Sequence, residues 1–120
     1  MSTSLPGGLP TAPNIPLSPD LRAAYQNLYS IIETAIEGTT DATALQALNA
    51  QLDQVDDVLD KDDIYRLGAN TESFNALLTQ INDANSGLKT LQTQIQATAS
   101  HFQTAGDILG AIAKVLSFFS

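Results

Sequence analysis

The chain has 120 residues, a formal net charge of −8, 43% hydrophobic residues, and neither cysteine nor tryptophan. That length suits one domain, with a core built mostly from Leu, Ile and Ala. The acidic balance argues against nucleic-acid binding and against docking on anionic lipid through charge, and the missing cysteines exclude disulfides, thiolate chemistry and cysteine metal sites. The charge is unevenly placed. Residues 1–83 hold twelve of the thirteen acids, while residues 84–120 hold one acid and two bases. The front is therefore acidic and the back nearly neutral and apolar. No basic, apolar leader opens the sequence, and no segment reaches the roughly 18–20 uninterrupted apolar residues of a spanning helix. A cleavable signal peptide is not expected, which leaves the cytoplasm or a signal-independent export route.

Residues 1–18 form a proline-rich, extended segment, and residues 19–120 a helical domain. Pro10, Pro13, Pro16 and Pro19 recur every third residue. In polyproline II this spacing lines one edge, with Leu9, Ala12 and Ile15 on another. The segment is either a tail or a strap along the helices, and Ile15 and Leu17 are apolar enough to dock. A helix then starts at Ser18 as N-cap, with Pro19 at the first helical position and Asp20 at the positive end of the dipole. Leu21, Tyr25, Leu28, Ile32 and Ala35 give its apolar stripe, Ile31 and Ile36 widen it, and Gly38 ends it. Thr39, Thr40 and Asp41 connect to a second helix with Leu45, Leu48, Leu52, Val55 and Leu59. Its next stripe position is Asp62, so the apolar pattern stops there. Residues 60–70 read as a corner holding a short separate helix, Lys61 to Leu67. Gly68 stops that piece, and Asn70 or Thr71 caps the next helix.

The longest pattern runs from Phe74 to Phe119. Phe74, Leu77, Ile81, Ala84, Leu88, Leu91, Ile95, Thr98, Phe102, Ala105, Leu109, Ile112, Leu116 and Phe119 alternate steps of three and four. Thirteen of these fourteen positions are apolar, so the spacing predicts one heptad-patterned helix of roughly 70 Å. Asp83-Ala84-Asn85-Ser86-Gly87 is turn-like in composition. The phase nevertheless runs through it, which favours a continuous helix; a break near Gly87 would instead make a four-helix bundle. The expected fold is all-α, an antiparallel hairpin packed on one long C-terminal helix. Helices one and two span only roughly 28 Å each and cover the seam from Phe74 to about Leu91. Ile95, Phe102, Leu109, Ile112, Leu116 and Phe119 are then left for another surface.

The polar candidates are few. Asp53, Asp56, Asp57 and Asp60 share one helical face, with Asp62 and Asp63 following. They lack the central Gly and closing Glu of a calcium loop, so the expectation is a solvated face or a docking face for a basic partner. His101 is the only histidine and falls beside the seam; one imidazole makes a poor zinc site. Gly106 and Gly110 form a Gly-x-x-x-Gly pair, a weak sign of close helix contact with Asp107 inside it. Tyr25, Tyr29 and Tyr65 read as core-edge residues. There is no Gly-rich phosphate loop, no His/Glu metal motif and no serine elbow. No enzyme, cofactor, metal or nucleic-acid role is expected. The expected function is a non-enzymatic helical interaction or structural protein, self-associating or binding a partner helix through the C-terminal seam. The alternative is a membrane-active protein that inserts its C-terminal amphipathic helix.

Overall fold

The computed structural model describes residues 14–119. Among the described residues there are four α-helices: α1 (Pro19–Gly38), α2 (Ala42–Leu67), α3 (Thr71–Ala97) and α4 (Ala105–Leu116). Short 3-10 turns follow at Ala99–His101 and Ser117–Phe119, and no strand occurs among the described residues. Each helix packs on the next, and α4 closes the set by packing on α1. The all-α expectation therefore holds. The molecule is elongated, 51 × 24 × 20 Å.

Local chemistry starts the first three helices. Ser18 Oγ accepts from Leu21 N–H, Asp41 accepts from Ala44 N–H, and Asn70 with Ser73 forms a capping box. Each cap satisfies backbone donors that the first turn leaves open. Burial then follows the heptad steps. In α3, Phe74, Leu77, Ile81, Ala84, Leu88, Leu91 and Ile95 are all buried. The helix runs unbroken through residues 83–87, and the packing explains their turn-like composition. Asn85 Oδ1 accepts a 2.7 Å hydrogen bond from the Tyr25 hydroxyl in the core. Gly87 lies where an added Cβ would collide with the Gln51 and Gln54 amide oxygens. A bulkier residue there would displace these two amides, which close over the glycine from α2.

Three expectations need correction. The long helix does not reach Phe119: it ends at Ala97, and the chain turns over residues 98–104 before α4. The break thus lies beyond Ile95 and not near Gly87. The reason is burial. A straight helix would leave Ile108, Ala111, Ile112 and Val115 in water, and each large side chain buried contributes about 1.5–3 kcal/mol. Folded back, all four are buried, at 5% exposure or less. That outweighs the left-handed Thr104 (φ 54°) and a helix start without a side-chain cap, a strain of about 1–2 kcal/mol.

The second correction is α2, which continues through Lys61–Leu67 without a corner. Its buried positions are Ala44, Leu48, Gln51, Val55, Val58, Asp62 and Tyr65, a regular four–three series with two polar members. Asp62 is fully buried because it is paired: Arg22 Nη1 lies 2.6 Å and Arg66 Nε 2.8 Å from its Oδ2, and Leu17 N–H donates to its Oδ1. Third, Tyr25 and Tyr65 are core residues, at 0% and 3% exposure, while Tyr29 is half-buried. The Tyr65 ring meets Phe74 edge-on at 6.3 Å.

Residues 14–18 form a strap across the end of the bundle. Leu17 is buried at 1% exposure, and its carbonyl accepts from Arg66 Nη2. Asn14 Nδ2 donates to the Phe118 carbonyl. The proline run before Asn14, with Leu9 and Ala12, lies outside the described residues.

Candidate interaction surface

The C-terminal seam residues do not form one exposed stripe. Ile95, Phe102 and Ile112 are buried in the chain's own core, Leu109 and Leu116 are half-buried, and Phe119 is 39% exposed. The fold-back rotates α4. Its buried line is Ile108, Ala111, Ile112 and Val115, which leaves Leu109 and Leu116 on the flank. Gly106, Gly110 and Ala113 then face outward, and an added Cβ at either glycine would meet no atom within 4 Å. The outer side of α4 is smooth and nearly uncharged, with Asp107 and Lys114 as its exposed charges.

A groove of about 380 Å³ runs beside this face. Ala113, Leu116, Ser117 and Phe119 line one side, and Asn85 and Lys89 of α3 the other. Lys114 Nζ sits 5.9 Å from the centre of the Phe118 ring, a cation–π contact that keeps the lysine beside the aromatic end of the chain. A second groove, about 400 Å³, lies between α2 and α3 and is lined by small and amide side chains, among them Ala47, Ala50, Gly87 and Gln54. Among the described residues, Ile64 and Leu67, at the end of α2, are the other large apolar side chains in water, at 52% and 90% exposure.

The acidic face of α2 is where the spacing puts it. Asp53, Asp56, Asp57 and Asp60 are all exposed. Partial burial, then Asp60, Asp57 and Asp53, raise the Asp56 carboxyl above its ordinary value. On α1, Glu33 foremost, then burial, Asp56 and Asp53, raise the Tyr29 phenol. Asp56, Asp57 and Asp60 bring carboxylate oxygens within 4.8 Å of one another. They are the carboxylates here within reach of one cation, and all three are open to water. His101 is exposed in the 3-10 turn, beside a shallow depression shared with Asp41, Gln94 and Thr98.

The polar layer inside the bundle is a feature the apolar periodicity hides. Burial raises the Tyr25 hydroxyl strongly, partly offset by its hydrogen bond to Asn85. Gln51 Nε2 donates to the Ala84 carbonyl, and Gln80 Nε2 to the Gln54 carbonyl. The signal was available: Gln51 and Asp62 occupy core positions of a four–three series that includes Ala44 and Val58.

No helix among the described residues is long and apolar enough to cross a membrane. No protein-family model matches the chain, nor does any curated protein or solved structure.

Proposed function

We propose that this is a non-enzymatic helical interaction protein that takes a helix, from a second copy or from another protein, against the outer face of α4. The groove between α3 and the C-terminal end carries the reading. Its α4 side is apolar, Phe119 stands partly in water at its edge, and the glycines beside it let another backbone come close. Half-buried Leu109 and Leu116 supply apolar area that a covering helix would desolvate further. The acidic face of α2 is a separate surface suited to a basic partner.

The test is light scattering and sedimentation of the purified protein, with and without liposomes, for wild type, Phe119→Asp and Asp57→Ala. Phe119 is already partly in water, so its substitution leaves the core intact. A charge placed in a desolvated contact is expected to weaken association about tenfold or more. Asp57→Ala is expected to leave it within about twofold, as rim charges do. Wild-type association by a folded Phe119→Asp variant would sink the reading. Capture by liposomes in place of protein association would replace it with the membrane-active one.

A further inference from the structure

The turn between α3 and α4 is held from outside. Its sequence, Thr98-Ala99-Ser100-His101-Phe102-Gln103-Thr104, contains neither Gly nor Pro. All seven residues are able to continue a helix, and the heptad phase of α3 runs through them. Yet Thr104 sits in the left-handed region at φ 54°, with no side-chain cap on α4. Such a conformation suits glycine and strains threonine. What holds the turn down is tertiary. Phe102 is buried, Gln103 N–H donates to Thr39 Oγ1, and the Gln103 side chain lies over Gly38, where a Cβ would come within 2.7 Å of its Cγ.

Opening this turn in a lone chain would strand Ile108, Ala111, Ile112 and Val115 in water, so the opened monomer is not a resting state. A second copy removes that obstacle, because its α1 offers the same face that α4 leaves. We propose that α4 exchanges between two copies of this chain. Residues 98–104 straighten into helix, α3 and α4 become one rod, and each α4 seats on α1 of the other copy. Every α1–α4 contact is re-formed, Thr104 is relieved, and the straightened segment adds hydrogen-bonded turns. Strained hinges and conserved contacts are the conditions under which helices swap. This goes beyond the reading above, since it uses the inward face of α4 and not the outward one.

The chain has no cysteine, so introduced thiols are unambiguous. Ser30 on α1 and Asp107 on α4 are exposed and line one depression of about 160 Å³ with Ile31, Thr34 and Thr104. Chains carrying Ser30→Cys alone and Asp107→Cys alone are refolded together at high concentration, sized, and treated with a short bismaleimide. The double variant serves as the positive control. Exchange predicts a covalent dimer of the two different chains. Two hinge variants should then move the dimer in opposite directions. Thr104→Gly frees the turned-back state and is expected to raise the dimer dissociation constant about a hundredfold, about tenfold for each chain. Gly38→Ala displaces Gln103 and is expected to lower it. Exchange is overturned by a dimer that gives no product between chains while the double variant cross-links. It is also overturned by a monomer at every concentration in all variants, or by hinge variants that shift the dimer in the same direction. A dimer without exchange leaves the outward face of α4 standing. Exchange that persists unchanged in Phe119→Asp removes the outward face from self-association instead.

Discussion

The α2–α3 corner and the α3–α4 corner do the same job by different physics. At the first, Gly68 ends α2, and Asn70 and Ser73 exchange hydrogen bonds that start α3. Just before it, Asp62 binds Arg22, Arg66 and the strap through Leu17. The turn is written in its own residues. At the second corner the residues are helix-compatible, one of them is strained, and α4 starts uncapped. Besides a few turn hydrogen bonds, it is held by what lies beneath: Phe102, the Thr39 hydroxyl, the packing of Gln103 over Gly38 and the four buried side chains of α4. A locally coded corner survives the loss of distant contacts. A corner imposed by packing is as stable as that packing, and no more.

The largest effect should come from removing that packing. Ile112→Ala deletes buried methyl groups from α4, and a cost of about 2–5 kcal/mol is expected. Hydrogen exchange should then show α4 and residues 98–104 opening before α2 and α3. Uniform loss of protection would mean that the two corners do not differ. At the other end, Asp62→Ala leaves two guanidinium groups and the Leu17 N–H without their shared acceptor. Removing one member of a buried ion pair costs about 3–5 kcal/mol. Here the arginines are 26% and 43% exposed, and water recovers part of it, so about 2–3 kcal/mol is expected from urea unfolding. A loss well under about 1 kcal/mol, with Leu17 still protected, would show that the clasp does not hold the strap.

These two corners also mark what the sequence makes legible. Ser18, Asp41, Asn70 and Gly68 act through neighbours a few residues away, and local reading places Ser18 and Gly68 and narrows the others to residues 39–41 and to Asn70 or Thr71. The α3 stripe from Phe74 to Ile95 is equally clear, because one apolar face repeats without interruption. The end at Ala97 is not legible. It depends on α1 being short enough, and close enough, to receive α4, which is a comparison between distant segments. Asp62 escaped for a related reason. A carboxylate at a core position looks like the end of a stripe until Arg22, forty residues earlier, is brought beside it. The candidate surface follows the same division. The acidic face of α2 is a matter of spacing alone, whereas the exposed side of α4 is fixed by how the fold-back rotates that helix.

Between the corners lies the polar layer, where a smaller effect is expected. Tyr25→Phe removes the hydroxyl that satisfies Asn85 Oδ1 and leaves that oxygen in the core. The cost of an unsatisfied buried acceptor is about 1–3 kcal/mol. Adding Asn85→Leu should recover part of it, since the polar partner then goes as well. No recovery in that double variant would show that the layer is cooperative with the rest of the core and not a separable pair.

The smallest effect concerns the acidic face, which belongs to neither corner. Asp56 has Asp53 three residues before it and Asp60 four residues after it on the same exposed side of α2. Its carboxyl is raised by partial burial, then by Asp60, Asp57 and Asp53. The folded chain therefore holds this proton more tightly than the unfolded chain does. Wherever the folded state binds more protons, stability falls as pH rises. Ionised Asp56 is thus a small burden at neutral pH, relieved on acidification through the carboxylate range. Asp56→Asn removes the burden throughout, and a gain of a few tenths of a kcal/mol at pH 7 is expected, the size of like-charge pairs at helical spacing. The measurement is the difference in urea unfolding free energy between variant and wild type at low salt, taken at pH 7 and again near pH 4. The gap should shrink on acidification and on adding salt, which screens exposed charges. A gap that widens as pH falls would mean that Asp56 is held by a favourable partner, and the face would then have to be treated as a paired surface, not an open one.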